Sequence, residues 1–325
     1  FAGRLLQGEF PGQLSPICDK ITNGFVEFCR ISTCSLREVR KESNVLTPKL
    51  TVSVQLPCPK GAGLMRLKIV LECNSGDVLT YNYNFYLYKA IIRAMHKTGK
   101  LVRNRYHGMN YFTFSQLYFD QYGIAADGIQ NFGNSVIWYV SSPRVYFLEN
   151  LLRGLKRAGC LSLGKVRMPI EDIEVLGDPD IGEVMEFSCM SPITITSCPN
   201  LVEERPRYGR IEDYDFTEKL RLDLINKFYR IYDSLPVDEN LEFEFNQRYI
   251  ENKRRVSRLV EFNGIKILGY MIPFLVKGNP ELIRLGYQLG FGNRNNCGFG
   301  MVKVWYPPVG KQARLENDLT ETSAI

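Results

Sequence analysis

The chain has 325 residues, of which 45% are hydrophobic and 23% charged, a balance typical of globular proteins and long enough for two domains. No apolar run approaches the roughly 18 residues of a membrane span, which argues against a membrane protein. The formal net charge of +6 is too small to indicate nucleic-acid binding by itself. Nine irregularly spaced cysteines and two histidines argue against a zinc site or a disulfide framework. They favour reduced thiols in a cytoplasm.

Residues 1–64 differ from the remainder of the sequence. All eight methionines lie at or after Met65, and no helical or strand period persists before it. We expect the native fold to begin at Met65, with residues 1–64 as an unassigned leader outside that fold. A small extra domain is the alternative interpretation.

The first regular stretch predicts a complete βαββαβ unit. Residues 66–72 alternate as a strand, and apolar residues at helical spacing follow near residues 87–95. Strand candidates at residues 111–117 and 135–140, a second helix near residues 148–155 and a strand at 173–176 complete the order. This order is that of a ferredoxin-like unit.

The same order recurs in the second half. A strand candidate at residues 186–196 contains Pro192, which favours an edge or a bulge. A helix at 216–231, an alternating strand at 241–245, and a hairpin or one bent strand over 255–262 and 265–275 follow. The sequence therefore predicts an α+β protein of two tandem ferredoxin-like (RRM-like) βαββαβ domains. Their predicted bounds are 65–185 and 186–310, with a polar tail at 311–325.

The last helix of this second unit leads into a glycine-rich stretch, G-Y-Q-L-G-F-G-N-R-N-N-C-G-F-G-M at residues 286–301. Asn279 and Pro280 are typical of a helix start, and Gly290 suits the helix end. Successive N–H groups in a glycine loop can cradle a phosphate. The order helix, loop, strand is the reverse of a dinucleotide fingerprint or a P-loop, so we reject both. A tight structural turn remains the alternative.

Charge is distributed unevenly along the chain. Residues 168–204 hold nine acidic side chains and no Lys or Arg, whereas residues 97–105 hold four basic side chains and no acid. A second basic run lies at residues 247–258. Two basic runs together with a glycine loop favour a phosphate backbone over solvated faces.

Several stretches resemble one known family. They are M-R-L-K-I-V-L-E at Met65, Y-N-Y-N-F-Y-L at Tyr81, S-P-I-T-I-T at Ser191 and the glycine-rich stretch at Gly286. Over residues 65–305 the chain resembles the CRISPR-associated endoribonuclease that trims repeat RNA in antiviral defence, the Cas-six family of the RAMP superfamily. The resemblance implies cleavage without metal or cofactor, by attack of a ribose 2′-hydroxyl that leaves 2′,3′-cyclic phosphate and 5′-hydroxyl ends. It implies CRISPR repeat RNA as the partner, and allows other Cas proteins and a homodimer.

The resemblance also indicates catalytic residues. The family's histidine falls on His107, in N-R-Y-H-G-M-N-Y, and His96 is the reserve. A family tyrosine and lysine fall on Ile92 and Asn110, which leaves the charge partner open. Lys89 and Arg93, one helical turn apart, are the candidates for that partner. A surface histidine and a solvated helix face are the alternatives.

For RNA binding we expect contacts from the glycine loop and from the second basic run, because Arg suits bidentate contact with phosphate. The predicted RNA-binding residues are Gly290, Gly292, Arg294, Gly298, Gly300, Lys253, Arg254, Arg255 and Arg258. Two other function classes stay open. One is a non-catalytic RNA-binding RAMP subunit of a CRISPR effector complex. The other is a ferredoxin-like module that binds a protein or another nucleic acid.

Overall fold

The computed structural model describes residues 66–98, 111–197, 207–253 and 255–305. The predicted leader and tail lie outside the described residues. We call residues 66–176 the N-terminal half and residues 184–304 the C-terminal half. Within the described residues, no helix is both long and apolar enough to cross a membrane.

The N-terminal half has a main antiparallel sheet covered by two helices, and a small three-stranded sheet beside it. Its elements are β1 Arg66–Glu72, β2 Val78–Thr80, α1 Asn84–Lys97, β3 Thr113–Phe114, β4 Tyr118–Phe119, β5 Tyr122–Ile124, β6 Gly128–Asn131, β7 Ser135–Ser141, α2 Val145–Ala158, β8 Cys160–Leu163 and β9 Val166–Leu176. The sheet order is β3-β7-β1-β9-β8, with β4 also on β7. Leu67, Ile69 and Leu71 of β1 are fully buried with the apolar faces of both helices, as their spacing predicts.

The C-terminal half repeats this topology. Its elements are β10 Val184–Cys189, β11 Thr196–Ser197, β12 Arg207–Tyr208, α3 Phe216–Tyr232, β13 Leu241–Phe245, α4 Gln247–Asn252, β14 Ser257–Phe262, β15 Ile265–Tyr270, β16 Phe274–Gly278, α5 Pro280–Leu289 and β17 Val302–Val304. The main sheet has the order β13-β16-β10-β17. In both halves the four strands of the repeat therefore lie in the order second, third, first, fourth. The prediction of two tandem ferredoxin-like units is confirmed.

The N-terminal half differs from the predictions at several stretches, among them strands β4 and β8 and the longer strand β9. The strand expected over residues 111–117 is limited to Thr113–Phe114, because Gln116 donates its amide to Met190 O in the C-terminal half instead of to a neighbouring strand. The three-stranded sheet β2-β6-β5 was not predicted. Its strands have three or four residues, too few for an alternating pattern to be recognised.

The break expected at Pro192 is present. Strand β10 ends at Cys189, and Ile193 then pairs with Tyr270 of β15. Residues 255–275 form the hairpin β14–β15 followed by the separate strand β16. The hairpin is therefore an addition to the βαββαβ unit, inserted between its second and third strands.

Candidate nucleic-acid interface

The glycine loop, residues 290–300, follows α5 and leads to β17. Asn279 caps α5 by accepting a hydrogen bond from the amide of Glu281 at 2.8 Å, and Pro280 occupies the first turn, as predicted. The four predicted glycines all have positive φ, between 71° and 95°. Arg294 also has a left-handed backbone, with φ 57°. The loop is thus a tight reversal whose path requires residues that tolerate positive φ.

Most of this loop is buried inside the protein. A Cβ atom added to Gly300 would collide with Phe291 O, and one added to Gly292 would collide with Thr194 O. Phe291, Phe299 and Met301 are 1% exposed or less. The glycines therefore allow backbone segments to lie closer together than any side chain would permit.

The amides of the loop are mostly engaged within the chain. Six of them donate to protein acceptors: those of Gly290, Phe291, Asn293, Cys297, Gly298 and Gly300. A phosphate bound by these amides would have to replace bonds that hold the loop together. The predicted phosphate contact therefore falls first on the side chain of Arg294, which is only partly buried.

The N-terminal half contacts this loop directly. Asn84 Nδ2, at the start of α1, donates to Cys297 O at 3.1 Å, and Thr113 Oγ1 donates to Phe299 O at 2.9 Å. Both side chains are buried. Sequence reasoning missed these two residues, although a polar residue at an otherwise apolar position was a usable signal. The first turn of α1 and the glycine loop are therefore neighbours.

The hairpin β14–β15 closes the same region from another side. Phe262 of β14 packs edge-on against Phe85 and Tyr88 of α1, with ring centroids 5.4 Å and 5.7 Å apart. Phe262 also shares a buried cluster with Cys297 and Phe299 of the loop. Helix α1, the hairpin and the glycine loop thus meet around one small core.

The predicted charged residues lie at different depths around this core. Lys89 is half-buried, and its Nζ lies 4.3 Å from the centre of the Phe85 ring, a cation–π contact beside Phe262. Arg93 and His96 are exposed farther along α1. At 1.5 Å per residue, His96 is about 18 Å from Asn84 along the helix axis. Of the predicted catalytic side chains that the structure describes, Lys89 is thus the one held beside the hairpin.

The second basic run is carried by the end of α4 and the start of the hairpin. Lys253, Arg255 and Arg258 are exposed to solvent. Arg254 and His107 lie outside the described residues, so their assignments stay predictions. Arg258 belongs to the same hairpin as the buried Phe262, and Lys253 and Arg255 lie just before it, which places positive charge next to the core that α1 and the loop share.

The cysteine of the loop is not a candidate nucleophile. Burial raises the pKa of the Cys297 thiol to about 12, so the thiol stays protonated near neutral pH. Among the described residues, no group of three or more His, Cys, Asp or Glu side chains is placed to hold a metal ion.

Comparison with family models matches both halves of the chain. Residues 78–174 match the N-terminal model of CRISPR-associated protein Cas6, and residues 176–304 match the C-terminal model of the same protein.

Comparison with individual known proteins also finds Cas6 proteins. CRISPR-associated endoribonuclease Cas6 1 of Methanocaldococcus jannaschii is 30% identical over 242 residues, 73% of this chain and 92% of that protein. CRISPR-associated endoribonuclease Cas6 of Pyrococcus furiosus is 28% identical over 254 residues, 75% of this chain and 90% of that protein. The structure of a Cas6-related protein from P. furiosus superposes with a TM-score of 0.67 at 26% identity, covering 74% of this chain and 98% of that one. The chain belongs to the CRISPR-associated Cas6 family.

Proposed function

We propose that this protein is an endoribonuclease that cleaves CRISPR repeat RNA and so produces guide RNAs. The observation that carries the proposal is the 30% identity, across 92% of its length, to a relative named as a CRISPR-associated endoribonuclease. The meeting of α1, the hairpin and the glycine loop supports the proposal, because it joins predicted catalytic and RNA-binding elements from both halves. In this proposal residues 65–185 carry the chemistry and residues 186–310 hold the RNA.

The chemistry we propose needs no metal. A ribose 2′-oxygen loses its proton and bonds to the adjacent phosphorus, while the bond from phosphorus to the 5′-oxygen breaks and that oxygen takes up a proton. The products are a 2′,3′-cyclic phosphate and a 5′-hydroxyl. His107 transfers a proton in this step, since the ordinary histidine pKa of about 6.5 suits proton transfer near neutral pH.

Positive side chains have the second role. Lys89 or Arg93 of α1 stabilises the charge that develops on the phosphorane. Lys89 is favoured, because it is held against Phe85 beside the hairpin. Arg294 and the cations at positions 253–255 and 258 bind phosphates and hold the strand in line.

Cleavage of repeat RNA in excess chelator tests the reaction. We expect the parent protein to cleave, and His107→Ala to cleave about 10²–10⁴-fold more slowly, because positioned acid–base groups contribute about that much. Mass analysis of the products should find cyclic phosphate ends.

The other histidine supplies the control. His96 is exposed on α1, and His96→Ala should cleave at the parental rate. Parental cleavage by His107→Ala would remove His107 from the mechanism, and a loss confined to His96→Ala would assign the proton transfer to the reserve residue. Loss of parental cleavage in chelator, with recovery on adding a divalent cation, would contradict the metal-independent reaction.

A second function remains open, that of a non-catalytic RNA-binding subunit. It is favoured by Ile92 and Asn110, which stand where the family resemblance expects a tyrosine and a lysine. Repeat RNA that binds tightly to the parent but is never cut would support this second function over the first.

A further inference from the structure

Helix α3 carries a buried cation under the glycine loop. Lys227 Nζ lies 2.9 Å from Gly290 O, 2.5 Å from Gly292 O and 2.7 Å from Asp223 Oδ2. Two of the three N–H donors of the ammonium bond to the carbonyls, and the carboxylate of Asp223 is its ion-pair partner. The Lys227 side chain is only 13% exposed.

The counter-ion of Lys227 also holds the loop. Asp223 Oδ1 accepts a hydrogen bond from Asn293 Nδ2 at 2.5 Å. Asn293 in turn accepts from the Thr196 amide and donates its own amide to Thr194 O, each at 2.7 Å. Residues 290–293 are thus tied on one side to α3 and on the other to the chain that follows β10.

These contacts end immediately before Arg294. The backbone of Arg294 is left-handed, and its buried Nε has no hydrogen-bond partner among the residues that the structure describes. The direction in which the Arg294 side chain leaves the loop therefore depends on how residues 290–293 are held.

A buried ion pair is weak evidence for a stabilising role, because apolar side chains of similar volume are often as good or better. At this position the pair binds two backbone carbonyls and a loop side chain, which an apolar pair would leave without partners.

We infer that Lys227, with Asp223, is a positioning residue that fixes the glycine loop so that Arg294 contacts RNA. The inference rests on the proposed function, and it concerns a residue that contacts the loop and not the RNA.

Helix α3 also provides a matched control. Asp215 and Lys219 form an ion pair with the same i,i+4 spacing and the same 2.7 Å distance, but their side chains are 33% and 32% exposed. Lys219→Met therefore removes the same chemical group from the same helix, eight residues or about 12 Å along the axis from Lys227. Lys227→Met is the test variant. Lys227→Met/Asp223→Leu repeats the test without leaving a buried carboxylate unpaired.

The first measurement is amide hydrogen exchange in the free protein. We expect Lys227→Met and the double variant to exchange faster at residues 290–297 than the parent, with the remaining amides of the C-terminal half unchanged. Lys219→Met should exchange like the parent. If the loop amides of both Lys227 variants exchange at the same rate as those of the parent, the inference is overturned.

The second measurement is the affinity for repeat RNA, with Arg294→Ala introduced into each background. In the parent and in Lys219→Met, Arg294→Ala should weaken binding at least about tenfold, as expected for a lost charge-assisted hydrogen bond. In Lys227→Met and the double variant the same change should cost less than about threefold, because a displaced Arg294 has little contact to lose.

The outcomes separate the two proposals. A parent that binds no repeat RNA would overturn the proposed function, and this inference with it. A parent that binds RNA, together with an undiminished effect of Arg294→Ala in both Lys227 backgrounds, would overturn the inference alone.

Discussion

At the scale of single residues, the conformation of the glycine loop depends on glycines that have no room for a side chain. Gly298 has φ 85°, and a Cβ atom added there would collide with Phe114 and lie 2.7 Å from Asn84 Nδ2. Both neighbours belong to the N-terminal half. The residue therefore sets how closely the loop approaches the start of α1.

We predict that Gly298→Ala lowers the free energy of unfolding by about 3 kcal/mol or more, since strained φ alone costs roughly 1–3 kcal/mol and the collision adds to it. Gly264→Ala is the control, because Gly264 has φ 81° with open space around it. Urea unfolding of both variants measures the difference. Equal losses would show that the packing against Phe114 and Asn84 adds nothing to the strain.

At the scale of elements, the inserted hairpin β14–β15 has two different faces. Phe262 and Ile267 are buried, whereas Arg258 and Lys266 are exposed. One face fastens the hairpin to α1 and the loop, and the other presents charge. In the proposed function this hairpin is a rigid carrier for phosphate-binding side chains.

We predict that Arg255→Ala and Arg258→Ala each weaken RNA binding and lower the salt dependence of affinity. Each lost phosphate contact should reduce the slope of log K against log salt by about 0.7 for a single strand. Affinities measured over a series of salt concentrations give the slope. Lys277→Ala is the control, because Lys277 lies on β16 beside Glu244. A slope unchanged by either arginine substitution would exclude the hairpin from the RNA-binding surface.

At the scale of the whole molecule, polar contacts connect the two halves. Arg66 of β1 is buried, donates to Tyr287 O at 3.0 Å and lies 4.1 Å from the centre of the Tyr287 ring. Asp178, between β9 and β10, accepts from Gln288 at 2.5 Å, and its side chain is 8% exposed. Burial raises the pKa of Asp178, while Gln288 and Arg284 oppose that shift.

This raised pKa predicts a pH dependence of stability. Because folded Asp178 holds its proton to higher pH than the unfolded chain does, its contribution is fully present below the unfolded pKa. It is lost as pH rises through the folded pKa. The amide side chain of the Asp178→Asn variant cannot ionise. The free energy of unfolding of this variant should therefore rise relative to that of the parent as the pH is raised from about 4 to about 7. Urea unfolding at both pH values measures this change. The same difference in free energy of unfolding between Asp178→Asn and the parent at both pH values would contradict this prediction.

The sequence by itself determined the two ferredoxin-like units and the position of the glycine loop. The alternation in β1 and the helical spacing in α1 are local patterns. Each places its apolar residues on one face only if the segment forms a strand or a helix, respectively, so each pattern predicts its own element. Short strands such as β5 carry too few residues for this signal. The family resemblance indicated His107, and the suitability of Arg for phosphate contact indicated Arg294. Periodicity alone would not have distinguished either one from a surface residue.

Only the tertiary structure decided which residues support the loop. Asp215 with Lys219 and Asp223 with Lys227 are the same i,i+4 pair on the same helix, and nothing in the local sequence distinguishes them. One pair is partly exposed, while the other lies under the loop with its donors on Gly290 and Gly292. The difference arises because burial depends on which distant segment packs on each turn of α3, and that packing is a property of the whole chain.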